Sequence, residues 1–158
     1  VGIAYAIFAI PSGVFAHKHG RKKTIRGSLL LLIAVLLILF VHSFTTTGMA
    51  AMPRLVIFWA ILFCFGIFWV SVVTNSFPML WQMASFETIG IYTGLYYFFS
   101  QLASIVAPPI TGFLIDATGG YSILFIFAAA CMLVAFFFMS RVTRGEPEDD
   151  PVEMPRKA

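Results

Sequence analysis

The sequence has few charged residues for its length. Of 158 residues, 10 are lysine or arginine and 7 are aspartate or glutamate, so 11% are charged, against about 25% in soluble domains. Too few charged side chains remain to cover a water-facing surface of this size, which argues against a water-soluble enzyme. A disordered chain is equally poorly supported, because 60% of the residues are hydrophobic.

The chemistry of cofactor, metal and nucleic-acid sites is also missing. Both cysteines, Cys64 and Cys131, lie inside apolar runs, which argues against a disulfide or a metal site. His17 and His19 have no carboxylate or cysteine nearby, and no nucleophile–base pair or phosphate-binding loop is present. Although the net charge is +3, the basic residues are confined to a few sites. We therefore expect no cofactor, no metal, no nucleic-acid partner and no enzyme activity.

Long hydrophobic runs dominate the remainder. A helix needs about 20 mostly apolar residues to cross a bilayer, and five runs approach or reach that length without a charged residue in their interior. Because backbone groups in lipid must pair internally, these runs predict helices. The fold class is an all-α, polytopic helical membrane protein. The predicted bundle covers 1–143, with spans at about 1–16, 27–44, 55–76, 89–115 and 121–140.

The chain begins without methionine and already within an apolar run, which predicts a fragment that starts within its first helix. The basic residues predict the orientation of the spans. All of them except Arg54 lie in the predicted loop 17–26 or after the fifth span, so we expect both regions to be cytoplasmic. The segment 144–158 is rich in acids and proline and predicts a disordered cytoplasmic tail.

The basic loop resembles the Gly-x-x-x-Asp-Arg-x-Gly-Arg-Arg signature of the major facilitator superfamily. His17 stands where the family usually has an aspartate that helps latch neighbouring helices on the cytoplasmic side. An alternative explanation of the charge alone is topological, with the loop held in the cytoplasm and touching anionic headgroups. The residues that match the signature are Gly13, Lys18, Gly20, Arg21 and Lys22.

This resemblance implies both an architecture and a function. The signature lies between the second and third helices of each six-helix half, and four spans follow it here. The five helices would therefore be the eighth to twelfth, an incomplete C-terminal six-helix bundle whose N-terminal half is missing. Such a protein is a secondary active transporter that moves a small solute by alternating access. It would reside in a plasma membrane or a bacterial inner membrane.

Polar residues inside the fourth span form one stripe. Thr93, Tyr97, Gln101 and Ser104 follow at helical spacing, and Gln101 lies near the middle of the span. A polar stripe at that depth should face protein or a water-filled cavity. Gln101 can donate and accept hydrogen bonds, which suits a polar, sugar-like solute. The alternative is hydrogen bonding between helices.

Two aromatic residues are weaker candidates for contact with the solute. Trp69 in the third span could stack on a flat or sugar-like solute, or simply pack. Tyr5 lies near the middle of the truncated first span. Asn75 with Pro78 predicts the end of the third helix.

Prolines in the fourth span predict a bend or break in its outer third. Pro108 and Pro109 remove backbone donors, and together with Gly112 they form a candidate hinge for an extracellular gate.

Two further classes of protein remain as alternatives. A membrane-embedded lipid-modifying enzyme would need converging His, Asp or Glu residues at an interface, and only scattered ones occur. A non-catalytic membrane subunit would account for the lack of buried charge, but not for the basic signature.

Overall fold

A computed structural model describes residues 2–46 and 48–145. These residues form five α-helices and contain no strand, which confirms the predicted all-α class. Residues 146–158 lie outside the described residues, and most of the predicted tail lies there with them. The helices are α1 (Gly2–His19), α2 (Arg21–Thr45), α3 (Ala51–Met83), α4 (Ile89–Thr118) and α5 (Ile123–Arg141).

The helices carry apolar side chains on outward as well as inward faces. Four of them, α2 to α5, are long and apolar enough to cross a membrane. Large apolar side chains such as Phe113 and Phe138 are 72% and 66% exposed. A helix that is hydrophobic on all sides is typical of a membrane span, because lipid takes the place of the packing partner. The chain is therefore a multi-pass membrane protein.

Helix α2 lies at the centre of the bundle. It packs extensively against α3 and α5, whereas α1 packs mainly against α3. The side chains of Ile25, Leu29 and Leu32 on α2 meet Met79 of α3 in the most deeply buried cluster. Helix α4 touches only α3 and α5 to a small extent and contains no buried residue.

The basic segment is almost entirely helical, whereas the sequence predicted a loop over 17–26. Helix α1 continues through His19 and α2 begins at Arg21, so Gly20 alone makes the turn. Its backbone has φ 93° and ψ 130°, a conformation that glycine adopts at little cost. Lysine and arginine are good helix formers, which explains why helical structure continues into the charged residues.

Prolines do not interrupt α3 or α4. Helix α3 continues through Pro78 to Met83 and does not end near Asn75 as the sequence predicted. The sequence predicted a bend or a break at Pro108 and Pro109. The break does not occur, because α4 continues through both residues. In α4, the Thr111 hydroxyl donates to the carbonyl oxygens of Ala107 and Pro108 at 3.0 and 2.9 Å. These are local bonds from a threonine hydroxyl to carbonyl oxygens of its own preceding turn.

Candidate functional site

The polar stripe on α4 remains open in the described structure. Gln101 and Ser104 are exposed, and Tyr97 is 54% exposed. The Ser104 hydroxyl donates to the Ser100 carbonyl oxygen at 3.0 Å, whereas the Gln101 amide makes no hydrogen bond to any described residue. The stripe thus contains the Gln101 amide, which has no hydrogen-bond partner among the described residues, and the exposed Tyr97 side chain. Both lie on α4, which packs least against the other helices.

Aromatic side chains join α4 to the last turns of α3. The ring of Phe77 lies 4.7 Å from that of Tyr96 and 5.8 Å from that of Tyr97, measured between centroids. One turn further on, the indole nitrogen of Trp81 donates to the Thr93 hydroxyl at 3.3 Å. These contacts orient the start of the α4 stripe relative to α3, and the sequence did not indicate them.

Trp69 and Tyr5 differ in their surroundings. Trp69 is half-buried, stacks on Phe65 at 6.2 Å and packs against the central cluster of α2. Tyr5 is 43% exposed on α1 and makes no hydrogen bond to a described residue. Packing accounts for the position of Trp69, while Tyr5 is free to contact a further element or a solute.

A buried polar cluster joins α1 to α3. The Ser12 hydroxyl donates to Ser71 Oγ at 2.9 Å, and Asn75 Nδ2 donates to Ser12 Oγ at 3.2 Å. Asn75 also donates to the Ser71 carbonyl oxygen at 2.7 Å and is only 1% exposed. Nearby, a Cβ on Gly13 would lie 3.8 Å from Thr74 Cγ2. The four-residue spacing of Ser71 and Asn75 could have indicated a polar face on α3, but not the partner on α1.

The basic segment is attached to the end of α5. Lys22 Nζ donates a hydrogen bond to the carbonyl oxygen of Val142, immediately after α5. The guanidinium carbon of Arg26 lies 5.3 Å from the centre of the Phe136 ring, a cation–π contact. Arg21, the first residue of α2, is partly buried. The first turns of α2 therefore hold the last turns of α5.

The predicted signature residues consequently divide into three groups. Lys22 contacts the end of α5, and Gly20 and Arg21 form the turn into α2 just before it. Gly13 lies two turns away against α3, and His17 and Lys18 are exposed at the end of α1. Pro108, Pro109 and Gly112 lie far along α4 from the basic segment. In the described part of the chain, no three His, Cys, Asp or Glu residues come together as metal ligands would.

A comparison with known families decides what these features belong to. The model of the Major Facilitator Superfamily matches residues 1–158, the whole length of the chain. The chain belongs to the major facilitator superfamily. No solved structure matches it. Major facilitators are transporters of small solutes across lipid bilayers and not enzymes, so the membrane-embedded enzyme and the non-catalytic subunit are not favoured.

Two features of this major facilitator stand out among the described residues. One is the contact of Lys22 with the end of α5, and the other is the exposed polar stripe of α4.

Proposed function

We propose that this chain supplies the eighth to twelfth helices of a secondary active transporter that moves a small polar solute by alternating access. The observation that carries the proposal is the exposed polar stripe of α4. Polar side chains are costly against lipid, and α4 contains no buried residue among those described. If an N-terminal half faces α4 across a water-filled cavity, the polar side chains of the stripe lie in water instead of lipid.

Gln101 is the central solute contact in this proposal, with Tyr97 and Ser104 on either side. An amide can donate to and accept from hydroxyl groups, and an aromatic ring can stack on the apolar face of a sugar-like ring. Tyr5 and Trp69 are secondary candidates, Trp69 the weaker because packing already accounts for it. Pro108, Pro109 and Gly112 remain a predicted hinge at the outer end of α4.

Gln101 is tested by substitution to alanine in the intact protein. Removing one hydrogen-bonding group should raise the KM for the transported solute about 3- to 10-fold, with unchanged insertion. A panel of radiolabelled sugars, polyols and amino acids identifies the solute before the variant is measured. Gln82→Ala is the matched control, because Gln82 is also exposed but lies at the end of α3. Equal KM values for the two variants would refute the assignment.

Arg21 is the proposed gating residue of the basic segment. In our proposal, it and its neighbours hold helix ends together in one conformation and release them in the other, on the cytoplasmic side. Arg21→Ala should then lower the uptake rate without lowering the amount of inserted protein. Arg54→Ala, which removes the lone basic residue on the opposite side, should leave the rate unchanged. Wild-type flux in Arg21→Ala would count against a gating role.

A further inference from the structure

A cavity beside the basic segment is lined by a lysine at one end and by apolar side chains further along. It has a volume of about 500 Å³ and opens between α1, α2 and α3. Lys23 and His19 lie at the mouth, both exposed. Leu31 and Ile67 line its apolar part, and Leu31 is itself 47% exposed. Lys23 and Leu31 are eight residues apart on α2, which places them about 12 Å apart along the helix axis.

Lys23 places a positive charge at the mouth of the cavity. Within the described ranges 2–46 and 48–145, Glu87 and Asp116 are the only acids, and neither lines the cavity. Among these described residues Lys23 therefore has no carboxylate partner at the mouth, and an anionic group from outside would complement it.

A hydroxyl on the wall of the same cavity has no partner among the described residues. Ser28 is 6% exposed as a residue and lines the cavity, and its hydroxyl makes no hydrogen bond to any described residue. Ser71 lines the wall as well, and its oxygen accepts from Ser12 while its own proton stays available for another acceptor. Both hydroxyls thus point to a ligand with polar atoms just below its charge.

We propose that this cavity binds an anionic phospholipid from the leaflet in which the basic segment lies. Lys23 and His19 would bind the phosphate, Ser28 and Ser71 the glycerol ester oxygens, and Leu31 and Ile67 the first part of an acyl chain. Lys23, Ser28 and Leu31 follow one another along α2 in the order in which charge, ester oxygens and acyl chain occur in a phospholipid, whereas a free phosphate would leave the apolar part of the cavity uncovered. Basic pockets between membrane helices are a known type of headgroup site. The proposal depends on membrane insertion alone and not on the transport function.

Native mass spectrometry of the intact protein in mild detergent tests the proposal. The protein is titrated with phosphatidylglycerol or with phosphatidylcholine that carries the same acyl chains. We expect phosphatidylglycerol to bind more tightly, and Lys23→Gln to weaken its binding about fivefold. Lys18→Gln is the matched control, because it removes the same charge from an exposed position that does not line the cavity.

A second variant tests the interior of the cavity. Ser28→Leu should fill the cavity and abolish binding of phosphatidylglycerol, whereas Ser43→Leu at the other end of α2 should retain it. Equal binding of the two lipids would overturn the proposal. If Lys18→Gln and Lys23→Gln weaken the binding of phosphatidylglycerol equally, the lipid responds to the general positive charge of the segment, and the proposal is overturned. Wild-type binding in Ser28→Leu would place the lipid elsewhere and overturn it too.

Discussion

Asn75 shows how one polar residue can fix the packing of two membrane helices. Its amide reaches Ser12 on α1 and the backbone of Ser71 on its own helix. Because apolar side chains gain nothing by leaving lipid for another apolar helix, such hydrogen bonds and close packing determine which helices associate. Asn75 is therefore a structural residue that positions α1, the helix that carries Gly13 of the signature.

The stability of the α1–α3 contact provides a residue-scale test. Asn75→Ala should lower the free energy of unfolding by about 1 kcal/mol, the usual value of one hydrogen bond between membrane helices. Ser76→Ala is the control, because the Ser76 hydroxyl donates only to the Val72 carbonyl oxygen of the same helix. Titration with denaturing detergent measures both variants. If both lose the same stability, Asn75 makes no special contribution to the interhelical contact.

At the scale of helices, the turn at Gly20 determines how the basic segment is presented. The backbone nitrogen and the hydroxyl of Thr24 both donate to the Gly20 carbonyl oxygen, at 3.1 and 2.9 Å. These bonds close the first turn of α2 immediately after the glycine. Lys22 and Arg26 then follow at helical spacing, on the side that contacts α5.

Replacing glycine at this turn and two turns further along α2 should have opposite effects. Gly20→Ala should destabilise the protein by about 1–2 kcal/mol, because an L-residue resists a positive φ. Gly27→Ala should stabilise it by about 0.5–1 kcal/mol, since Gly27 is inside the helix and a Cβ there meets nothing within 4 Å. Thermal unfolding in detergent measures both changes. A loss of stability in Gly27→Ala, or none in Gly20→Ala, would show that the turn geometry is different.

Hydropathy predicted five helices and their order, but not where the helices end. Hydropathy measures which residues tolerate lipid. A helix can extend beyond the apolar residues wherever its backbone hydrogen bonds form, and α2 accordingly begins at Arg21 and α3 ends at Met83. The spacing of polar residues predicted the stripe around Gln101, because the residues lie on one helix. The Ser12–Ser71 bond was not predictable, since it joins positions 59 residues apart.

For the whole molecule, the central position of α2 is the feature that matters most. It joins α3 to α5, and its basic first turns hold the end of α5. Helix α4 is left at the edge with its polar stripe uncovered. In our proposal, α4 faces a second bundle across the cavity, while α2, α3 and α5 form the packed side of this one.

The orientation of the helices is the most direct test of the account. Single cysteines are introduced by Lys18→Cys, Met49→Cys, Thr118→Cys and Thr143→Cys after both native cysteines are replaced by alanine. Intact cells are then treated with a membrane-impermeant maleimide. We predict that the Met49 and Thr118 variants react in intact cells and that the Lys18 and Thr143 variants react only after permeabilisation. Reaction of Lys18→Cys and Thr143→Cys from opposite faces would contradict the five-helix alternation on which the transporter proposal is built.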